Sequence, residues 1–317
     1  MCRCFGILLL GSLLGLLAHP AFARGTVLVV NSGAASLSVV DMTTRKEIRR
    51  IPVLREPHHV MLTPDRRDLL VGDTVGNELL DLDPDTYALR RRIPVADPYQ
   101  LGFSPDGKLL VINGLARAQV DILDAASMKL VKRFPLKTMP SHMAFSPDGT
   151  RVFITLQGTN RLAALDLREM KVLYEVTVGK VPAGVLWLNG RVLVALMGDN
   201  GVAVVDPATG RVERIVQTGD GAHQLFLSPD KRILYVNNRV ASTTVALNAS
   251  DLSTLRVYPV PGGPEDIDFA PDGKLWITQR FAHGLATLDP ATGAVDSIPV
   301  GRSPHGLIIN PTAEATP

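Results

Sequence analysis

The feature that most constrains the fold of this chain is a repeat of about 41 residues that runs through nearly all of its 317 residues. An aspartate that ends an alternating apolar stretch and opens a turn returns every 40 to 42 residues, and an asparagine takes its place once. These anchors are Asp41, Asp83, Asp124, Asp166, Asp206, Asn248 and Asp289. A fixed period of this length is typical of a repeat architecture, in which each repeat buries its apolar face against the next.

Each repeat carries the signals of four short strands. An apolar strand ends in a Ser-Pro-Asp-Gly-type turn, as at Ser104 and Ser146, and a strongly β-forming segment such as RVFITL follows. A loop rich in glycine and asparagine leads to a third strand that ends at the anchor aspartate, and a polar fourth strand closes the repeat. In such turns the aspartate side chain accepts hydrogen bonds from backbone amides ahead of it, and glycine supplies a positive φ. We therefore interpret the recurring aspartates and glycines as structural.

Four strands in about 41 residues predict the blade of a β-propeller. Six complete repeats begin near Pro57, Pro98, Pro140, Pro182, Ala222 and Pro264. The segment from Thr26 to Val53 supplies strands two to four of another blade, and PHGLIINP, from Pro304, supplies its first strand. The sequence thus predicts an all-β fold over residues 24–311. It is a single seven-bladed β-propeller of four-stranded antiparallel blades, and its C-terminal strand joins the N-terminal blade and closes the ring.

The two ends of the chain fall outside this repeat. Arg3 precedes an apolar run from Phe5 to Leu17, and the small-residue pattern Ala21-Phe22-Ala23 follows. These are the marks of a secretory signal peptide, so we expect residues 1–23 to be cleaved after Ala23 and the protein to be periplasmic or secreted. The run is shorter than the roughly 20 residues of a membrane span. Residues 312–317 are predicted to form a disordered tail.

Composition argues against several classes of function. Both cysteines, Cys2 and Cys4, lie in the predicted signal peptide, so the mature chain has no disulfide, thiolate metal ligand or cysteine nucleophile. The formal net charge is +2 and the basic residues are scattered, which argues against a nucleic-acid partner. No later segment is long and apolar enough to span a membrane. We expect a monomer.

All six histidines of the mature chain map to one face of the predicted propeller. Loops that lead into the innermost strands share this face with loops that join strands two and three. Entrances to innermost strands hold His58, His59, His142, His223 and His305. His283 sits in a loop of the second kind. The same face carries a mixed-charge rim that could hold an anionic ligand. The rim residues are Glu56, Asp97, Asp220, Asp266, Arg55, Lys180, Arg239, Arg280 and Arg302.

The register of the innermost strands singles out one arc of residues. The first residue after the anchoring proline should lie near the channel axis in every blade. In five consecutive blades of the closed ring this residue is His223, Glu265, His305, His58 and Tyr99. Neighbouring residues of a strand point to opposite sides. We therefore expect His59 and His142, one step further along their strands, to face away from this arc.

Three imidazoles and one carboxylate from adjacent blades suit a first-row metal ion. Neutral imidazole is a good ligand for zinc and copper, and an open coordination position could activate water. The predicted metal ligands are His58, His223, Glu265 and His305. Tyr99 and His283 complete the predicted ligand-binding set. A structural alternative stays open, in which a histidine at a strand entrance donates a hydrogen bond to a carbonyl of the neighbouring blade.

The repeat PSHMAFSPDGTRVFITLQGTNRLAALDLREMKVLYEVTVG resembles the YVTN-type β-propeller repeat. The marks are the proline before strand one, the SPDG turn, the VFIT strand, the ALD anchor and the closing VTVG. The resemblance covers nearly all of the mature chain and implies the fold without fixing a function. More distantly, the chain is similar to the haem-binding propeller of cytochrome-type nitrite reductases and to propeller lactonases. Its sixth repeat also looks like streptogramin lyase repeats, but Gln279 stands where that group often has glutamate.

Three functions fit these observations. The first is an exported binding or accessory protein whose histidine-rich face holds a divalent metal such as zinc or copper, or a small ligand, with haem as the weaker candidate cofactor. The second is a metal-assisted hydrolase or lyase, similar to a lactonase, that acts at the same face. The third is a platform for an exported protein partner.

Overall fold

The computed structural model describes residues 25–53 and 55–310. These residues form 28 strands in seven four-stranded antiparallel sheets, with two 3₁₀ turns at Ser32–Ala34 and Gln157–Thr159. The sheets are the blades of a propeller, so the predicted all-β, seven-bladed fold is confirmed. Within the described part of the chain, no helix has the length and apolar character needed to cross a membrane. The predicted signal peptide and C-terminal tail lie outside the described residues.

Six blades are sheets whose strands follow one another in sequence. Blades 1 to 3 consist of β4 (Pro57–Leu62), β5 (Leu69–Asp73), β6 (Glu78–Leu82), β7 (Leu89–Pro94), β8 (Gln100–Phe103), β9 (Leu109–Gly114), β10 (Gln119–Asp124), β11 (Leu130–Pro135), β12 (Pro140–Phe145), β13 (Arg151–Leu156), β14 (Arg161–Asp166) and β15 (Lys171–Thr177). Blades 4 to 6 consist of β16 (Pro182–Leu188), β17 (Arg191–Leu196), β18 (Gly201–Val205), β19 (Val212–Gln217), β20 (Ala222–Leu227), β21 (Ile233–Asn238), β22 (Thr243–Asn248), β23 (Thr254–Pro259), β24 (Pro264–Phe269), β25 (Leu275–Gln279), β26 (Gly284–Leu288) and β27 (Val295–Pro299).

The seventh blade joins the two ends of the described chain. Its strands are β28 (Pro304–Asn310), β1 (Thr26–Asn31), β2 (Ser36–Asp41) and β3 (Lys46–Pro52). β28 pairs antiparallel with β1, with Thr26 opposite Asn310 and Val29 opposite Leu307. This is the closure that the sequence predicts. It pairs two strand edges that would otherwise offer their backbone groups to other chains.

The recurring aspartates hold the turns, as the sequence predicts. Asp106 Oδ1 accepts hydrogen bonds from the Ser104 hydroxyl at 2.7 Å and from the Lys108 amide at 3.1 Å. Gly107, in the same turn, has a φ of +71°. At the second kind of turn, Asp166 Oδ1 accepts from the amide of residue 168 at 2.8 Å. These bonds satisfy backbone donors that a tight turn leaves without a strand partner.

Neighbouring blades pack through apolar side chains on both faces of each sheet. In β13 of blade 3, Phe153 lies in one apolar cluster with Val185 and Val194 of blade 4, whereas Ile154 lies in another cluster with Val111 of blade 2. Successive residues of a strand point to opposite faces, so each strand serves two cores. Since burial contributes roughly 25 cal/mol per Å² of apolar surface, the ring is stabilised mainly by these shared cores.

Innermost strands of neighbouring blades are also joined by side chains. In three blades, a polar residue near the end of the second strand donates a hydrogen bond to the main chain of the neighbouring blade. The acceptor lies on the innermost strand of that blade. Asn113 Nδ2 donates to Ser141 O at 3.0 Å, and Thr155 Oγ1 donates to Ala183 O at 2.7 Å. Thr278 Oγ1 donates to His305 O at 2.7 Å. Because each accepting residue is the first after the anchor proline, these bonds fix the positions that line the channel entrance.

Replacing Thr278 with valine should therefore destabilise the fold. Thr278→Val keeps the shape of the side chain but leaves the buried carbonyl of His305 without its donor and the amide of Asp266 without its acceptor. Such a loss costs about 1–3 kcal/mol of the free energy of unfolding. The matched control is Thr254→Val at an exposed position of β23, which should change stability by less than about 0.5 kcal/mol. Urea unfolding followed by circular dichroism measures both, and equal stability of the two variants would contradict the role of the bond.

Candidate functional site

Five histidine rings meet where the innermost strands enter the channel. His58 lies against His305 with ring centroids 3.7 Å apart, and His59 lies 4.6 Å from His305. On the other side, His142 lies 5.3 Å from His223 and 5.9 Å from His59. We call these five residues the histidine cluster. Only His59 is partly exposed, and the other four are buried.

An irregular register at the strand entrances brings the rings together. In blade 1, Pro57 lies opposite Asp73 and Val60 opposite Val71. Three steps along β4 therefore match two steps along β5, which is the signature of a β-bulge. A bulge interrupts the alternation of side chains, so the two histidines between Pro57 and Val60 can both turn toward the channel.

The expectation that His59 and His142 face away from the arc is wrong. Both rings belong to the histidine cluster. The same register shift occurs in blade 3, between Pro140 and Met143. A bulge changes one local pairing and leaves the apolar pattern of the strand intact. The strand alternation of the sequence therefore gives no signal of the bulge.

His59 bridges two blades through one ring nitrogen and keeps the other nitrogen available to a ligand. Its Nδ1 lies 2.6 Å from the carbonyl oxygen of Tyr99 in blade 2. A carbonyl only accepts, so the proton of neutral His59 is on Nδ1 and Nε2 carries a free lone pair. The Tyr99 ring stacks on His58 at a centroid distance of 4.0 Å. The bridge from histidine to carbonyl that the sequence left as an alternative is thus compatible with metal binding through the second nitrogen.

A chain of hydroxyl groups fixes the tautomer of His142. Thr155 Oγ1 donates to the carbonyl of Ala183 and lies 2.9 Å from Ser141 Oγ. Since the single Thr155 proton is used, Ser141 donates to Thr155, and His142 Nδ1 donates in turn to Ser141 Oγ at 3.1 Å. Nε2 of His142 then carries the lone pair. That atom is buried and makes no hydrogen bond to any described residue.

A buried carboxylate faces the other end of the cluster. Glu265 Oε1 lies 2.9 Å from His305 Nε2 and 3.9 Å from His223 Nε2. It also pairs with the guanidinium groups of Arg239 and Arg280. Burial would raise the pKa of Glu265, but attraction to the guanidinium groups of Arg239 and Arg280 outweighs burial and lowers that pKa below its ordinary value. Glu265 is therefore ionised, and it favours the His305 tautomer with the proton on Nε2.

Burial keeps the imidazoles neutral. It lowers the pKa of His59 to about 4 and the pKa of His142 to about 3. Burial, together with repulsion from nearby imidazole and guanidinium groups, holds the pKa values of His58 and His305 well below 6.5. The pKa of His223 is likewise lowered by burial, against the attraction of Glu265. At neutral pH the cluster thus offers lone pairs rather than positive charge.

The structure brings together part of the predicted metal set. One ring nitrogen from each of His58, His59 and His305 lies within 4.8 Å of the other two. This group includes His59, which the sequence assigned to the opposite side, and it leaves out His223 and Glu265. The carboxylate of Glu265 is already neutralised by guanidinium groups, which makes it a poor metal ligand.

His283 lies outside the cluster. It follows β25 in an exposed loop, and its Nδ1 accepts a hydrogen bond from the Ser303 amide at 3.1 Å. Of the predicted ligand-binding residues, Tyr99, His58, His223, Glu265 and His305 are close together, and His283 is not among them. His283 holds the loop that leads into β28.

A cavity of about 400 Å³ lies beside the cluster between blades 1 and 2. His58 and Tyr99 form part of its wall, and Glu56, Asp97 and Arg117 bring charges to it. Asp97 Oδ2 accepts hydrogen bonds from the backbone amides of residues 116 and 117, at 2.6 and 2.9 Å. These bonds fix the loop after β9. The cavity gives a small molecule access to one ring of the cluster. Sequence patterns do not predict it, because it is formed between loops of two blades.

Several solved structures share this fold. A functionally unknown protein from Desulfotomaculum acetoxidans is 15% identical, with a TM-score of 0.77 over 90% of this chain and 98% of that one. The periplasmic gluconolactonase PpgL of Pseudomonas aeruginosa is 21% identical, with a TM-score of 0.73 and coverage of 90% and 98%. The dihydro-heme d1 dehydrogenase NirN, in complex with DHE, is 15% identical, with a TM-score of 0.68 and coverage of 93% and 78%. At these identities the likeness shows the fold alone.

Sequence comparison identifies the family. No curated protein sequence matches this chain. A family model described as a YNCE-like beta-propeller matches residues 14–314, which include all seven blades. The repeat pattern and the closed ring of seven sheets agree with that match. The chain belongs to the YNCE-like beta-propeller family.

Proposed function

We propose that this protein is an exported binding protein that holds a divalent transition metal ion at the entrance of its channel, with His58, His59 and His305 as ligands. The observation that carries the proposal is the convergence of three imidazole nitrogens within 4.8 Å in a buried site. Export rests on the N-terminal sequence, with cleavage after Ala23 and release into the periplasm or the medium.

The chemistry of the ligands favours zinc or copper. Neutral imidazole suits both ions, and the lowered pKa values of these histidines keep protons from competing for the nitrogens. The carbonyl of Tyr99 holds the His59 ring through Nδ1. A metal-binding histidine normally has such a partner on its other nitrogen, because the partner fixes both the tautomer and the orientation of the ring. Three protein ligands also leave a coordination position open.

A second candidate function is metal-assisted hydrolysis of a lactone. The specific observation in its favour is the cavity of about 400 Å³ that ends on His58, next to the proposed metal ligands. A substrate there would meet an ion able to activate water. PpgL, which shares the fold, is named a periplasmic gluconolactonase.

Metal titration tests the proposed function. Zinc or copper should bind one ion per chain, and His59→Phe should weaken binding by more than about 100-fold, beyond the 10–100-fold typical of changes to residues behind the ligands. Protein purified from the periplasm without a histidine tag is required, and its mass also tests cleavage after Ala23. Isothermal titration calorimetry and elemental analysis give the affinity and the stoichiometry.

The matched control is His283→Ala, which removes a histidine from the same face but outside the cluster. It should bind metal as the wild type does. Equal binding by the wild type and His59→Phe would contradict the assignment of the ligands.

The neutrality of the cluster predicts a pH dependence of stability. The folded-state pKa of His142 is about 3, whereas an unfolded chain has the ordinary value of about 6.5. The contribution of His142 to stability is complete above pH 6.5 and is lost as the pH falls toward 3, at about 1.4 kcal/mol per pH unit. His142→Gln should remove this part of the slope between pH 6 and 4.5. Urea unfolding at several pH values measures it, and a slope identical to that of the wild type would refute the neutral assignment.

Lactone turnover tests the second candidate. Zinc-loaded protein should hydrolyse gluconolactone or another small lactone faster than protein treated with a chelator, because a bound zinc ion lowers the pKa of its water and supplies a nucleophile at neutral pH. A pH-stat assay over a panel of lactones measures the rate. Tight metal binding with equal inactivity in both preparations would leave the binding function and remove the enzymatic one.

A further inference from the structure

We propose that Arg239 and Arg280 form a binding site for a small hydroxycarboxylate beside the histidine cluster. This inference rests on the proposed metal-binding function and adds a second ligand to it, because the anion would lie next to the metal ion. It can nevertheless be tested on protein without metal, because both arginines belong to the chain itself.

The two arginines occupy equivalent places in neighbouring blades. Arg239 directly follows β21 and Arg280 directly follows β25, and both are only partly exposed on the face that carries the cluster. Arg239 Nη2 contacts Glu265 Oε1 and lies 2.6 Å from His223 Nε2. Arg280 Nη1 lies 3.7 Å from the same carboxylate oxygen, which is too far for a hydrogen bond. One carboxylate is thus shared by two guanidinium groups.

The charges at this place do not balance. Arg239 and Arg280 carry two positive charges and Glu265 carries one negative charge. Burial raises the pKa of the adjacent Asp266 to about 8, so that carboxyl is mostly uncharged at neutral pH. An excess positive charge near a buried site is costly, and a bound divalent ion would increase the excess. A small monoanion compensates it.

Hydrogen-bonding groups at the same place define the ligand further. Arg239 Nε and Arg280 Nη1 are buried and donate no hydrogen bond to any described residue. Glu265 Oε2 is buried and accepts none from the described part of the chain. The guanidinium donors suit a planar carboxylate, which they bind with charge-assisted hydrogen bonds. The free carboxylate oxygen suits a hydroxyl donor next to that carboxylate. A hydroxycarboxylate provides both groups in one small molecule.

The test compares three probes of similar size by isothermal titration calorimetry. Lactate carries the carboxylate and the hydroxyl, propionate lacks the hydroxyl, and lactamide lacks the charge. Metal-free wild-type protein should bind lactate more tightly than propionate and should bind lactamide least. Zinc should tighten lactate binding, and lactate should tighten zinc binding by the same factor, because linkage between two sites is reciprocal.

Substitutions at Arg280 locate the site. Arg280→Gln should weaken lactate binding about 10- to 100-fold, in line with the loss of charge-assisted hydrogen bonds. Arg280→Lys keeps the charge without the planar fork and should have an intermediate effect. The matched control is Arg302→Gln, an exposed arginine of the same face that donates to Gly33 O. It should bind lactate as the wild type does. Circular dichroism verifies folding, and Arg280→Lys decides the matter if the glutamine variant does not fold.

The outcomes separate this inference from the proposed function. Lactate binding that depends on Arg280 in protein that binds no metal would support the anion site and reject the metal site. Metal binding without lactate binding would overturn the anion site and leave the metal site standing. Equal lactate affinity in wild type, Arg280→Gln and Arg302→Gln would also overturn it, as would lactamide binding as tight as that of lactate.

Discussion

The candidate site depends on hydrogen bonds that cross from one blade to the next. Innermost strands of neighbouring blades belong to different sheets and share no ladder of backbone bonds. Side chains make the connection instead. Thr155 donates a hydrogen bond to Ala183 O, Thr278 donates to His305 O, and His59 donates to Tyr99 O. Apolar cores hold the blades face to face, but such packing is not directional. The directional bonds set where the first residues of each innermost strand stand, and those residues carry the chemistry.

The fold could be predicted almost entirely from the repeat, and the site only in part. The repeat period predicts four-stranded blades, and the recurring aspartates predict the turns between their strands. The incomplete repeats at the two ends of the chain predict a seventh blade that closes the ring. The arc of His223, Glu265, His305 and His58 also converges as the register implies. Strand alternation puts His59 on the wrong side, because a one-residue bulge reverses the side of the strand on which a side chain lies. Such a bulge leaves no apolar signature, so alternation alone cannot place residues next to it.

The electrostatics of the site lie beyond what sequence patterns give. Arg239 and Arg280 could be assigned to the correct face but not to a shared carboxylate, because their contact with Glu265 depends on how far each side chain reaches across the channel entrance. Burial then decides the protonation states. It neutralises the imidazoles, while the two guanidinium groups keep Glu265 ionised. The same few residues thus form a neutral half that suits a metal ion and a charged half that suits an anion.

The concentration of neutral imidazoles and paired charges at the channel entrance has an energetic cost that the rest of the ring offsets. Burying four imidazoles and a carboxylate, together with partial burial of a fifth imidazole and two guanidinium groups, opposes folding, since these groups lose hydration. The seven-bladed ring tolerates the cost because its stability comes from apolar cores between the blades, away from the channel entrance. A purely structural entrance would be more stable with well-packed apolar residues. Sites that break the local rules of packing in this way are where function is expected, and the histidine cluster is the place in the described chain where ring nitrogens, paired charges and a cavity meet.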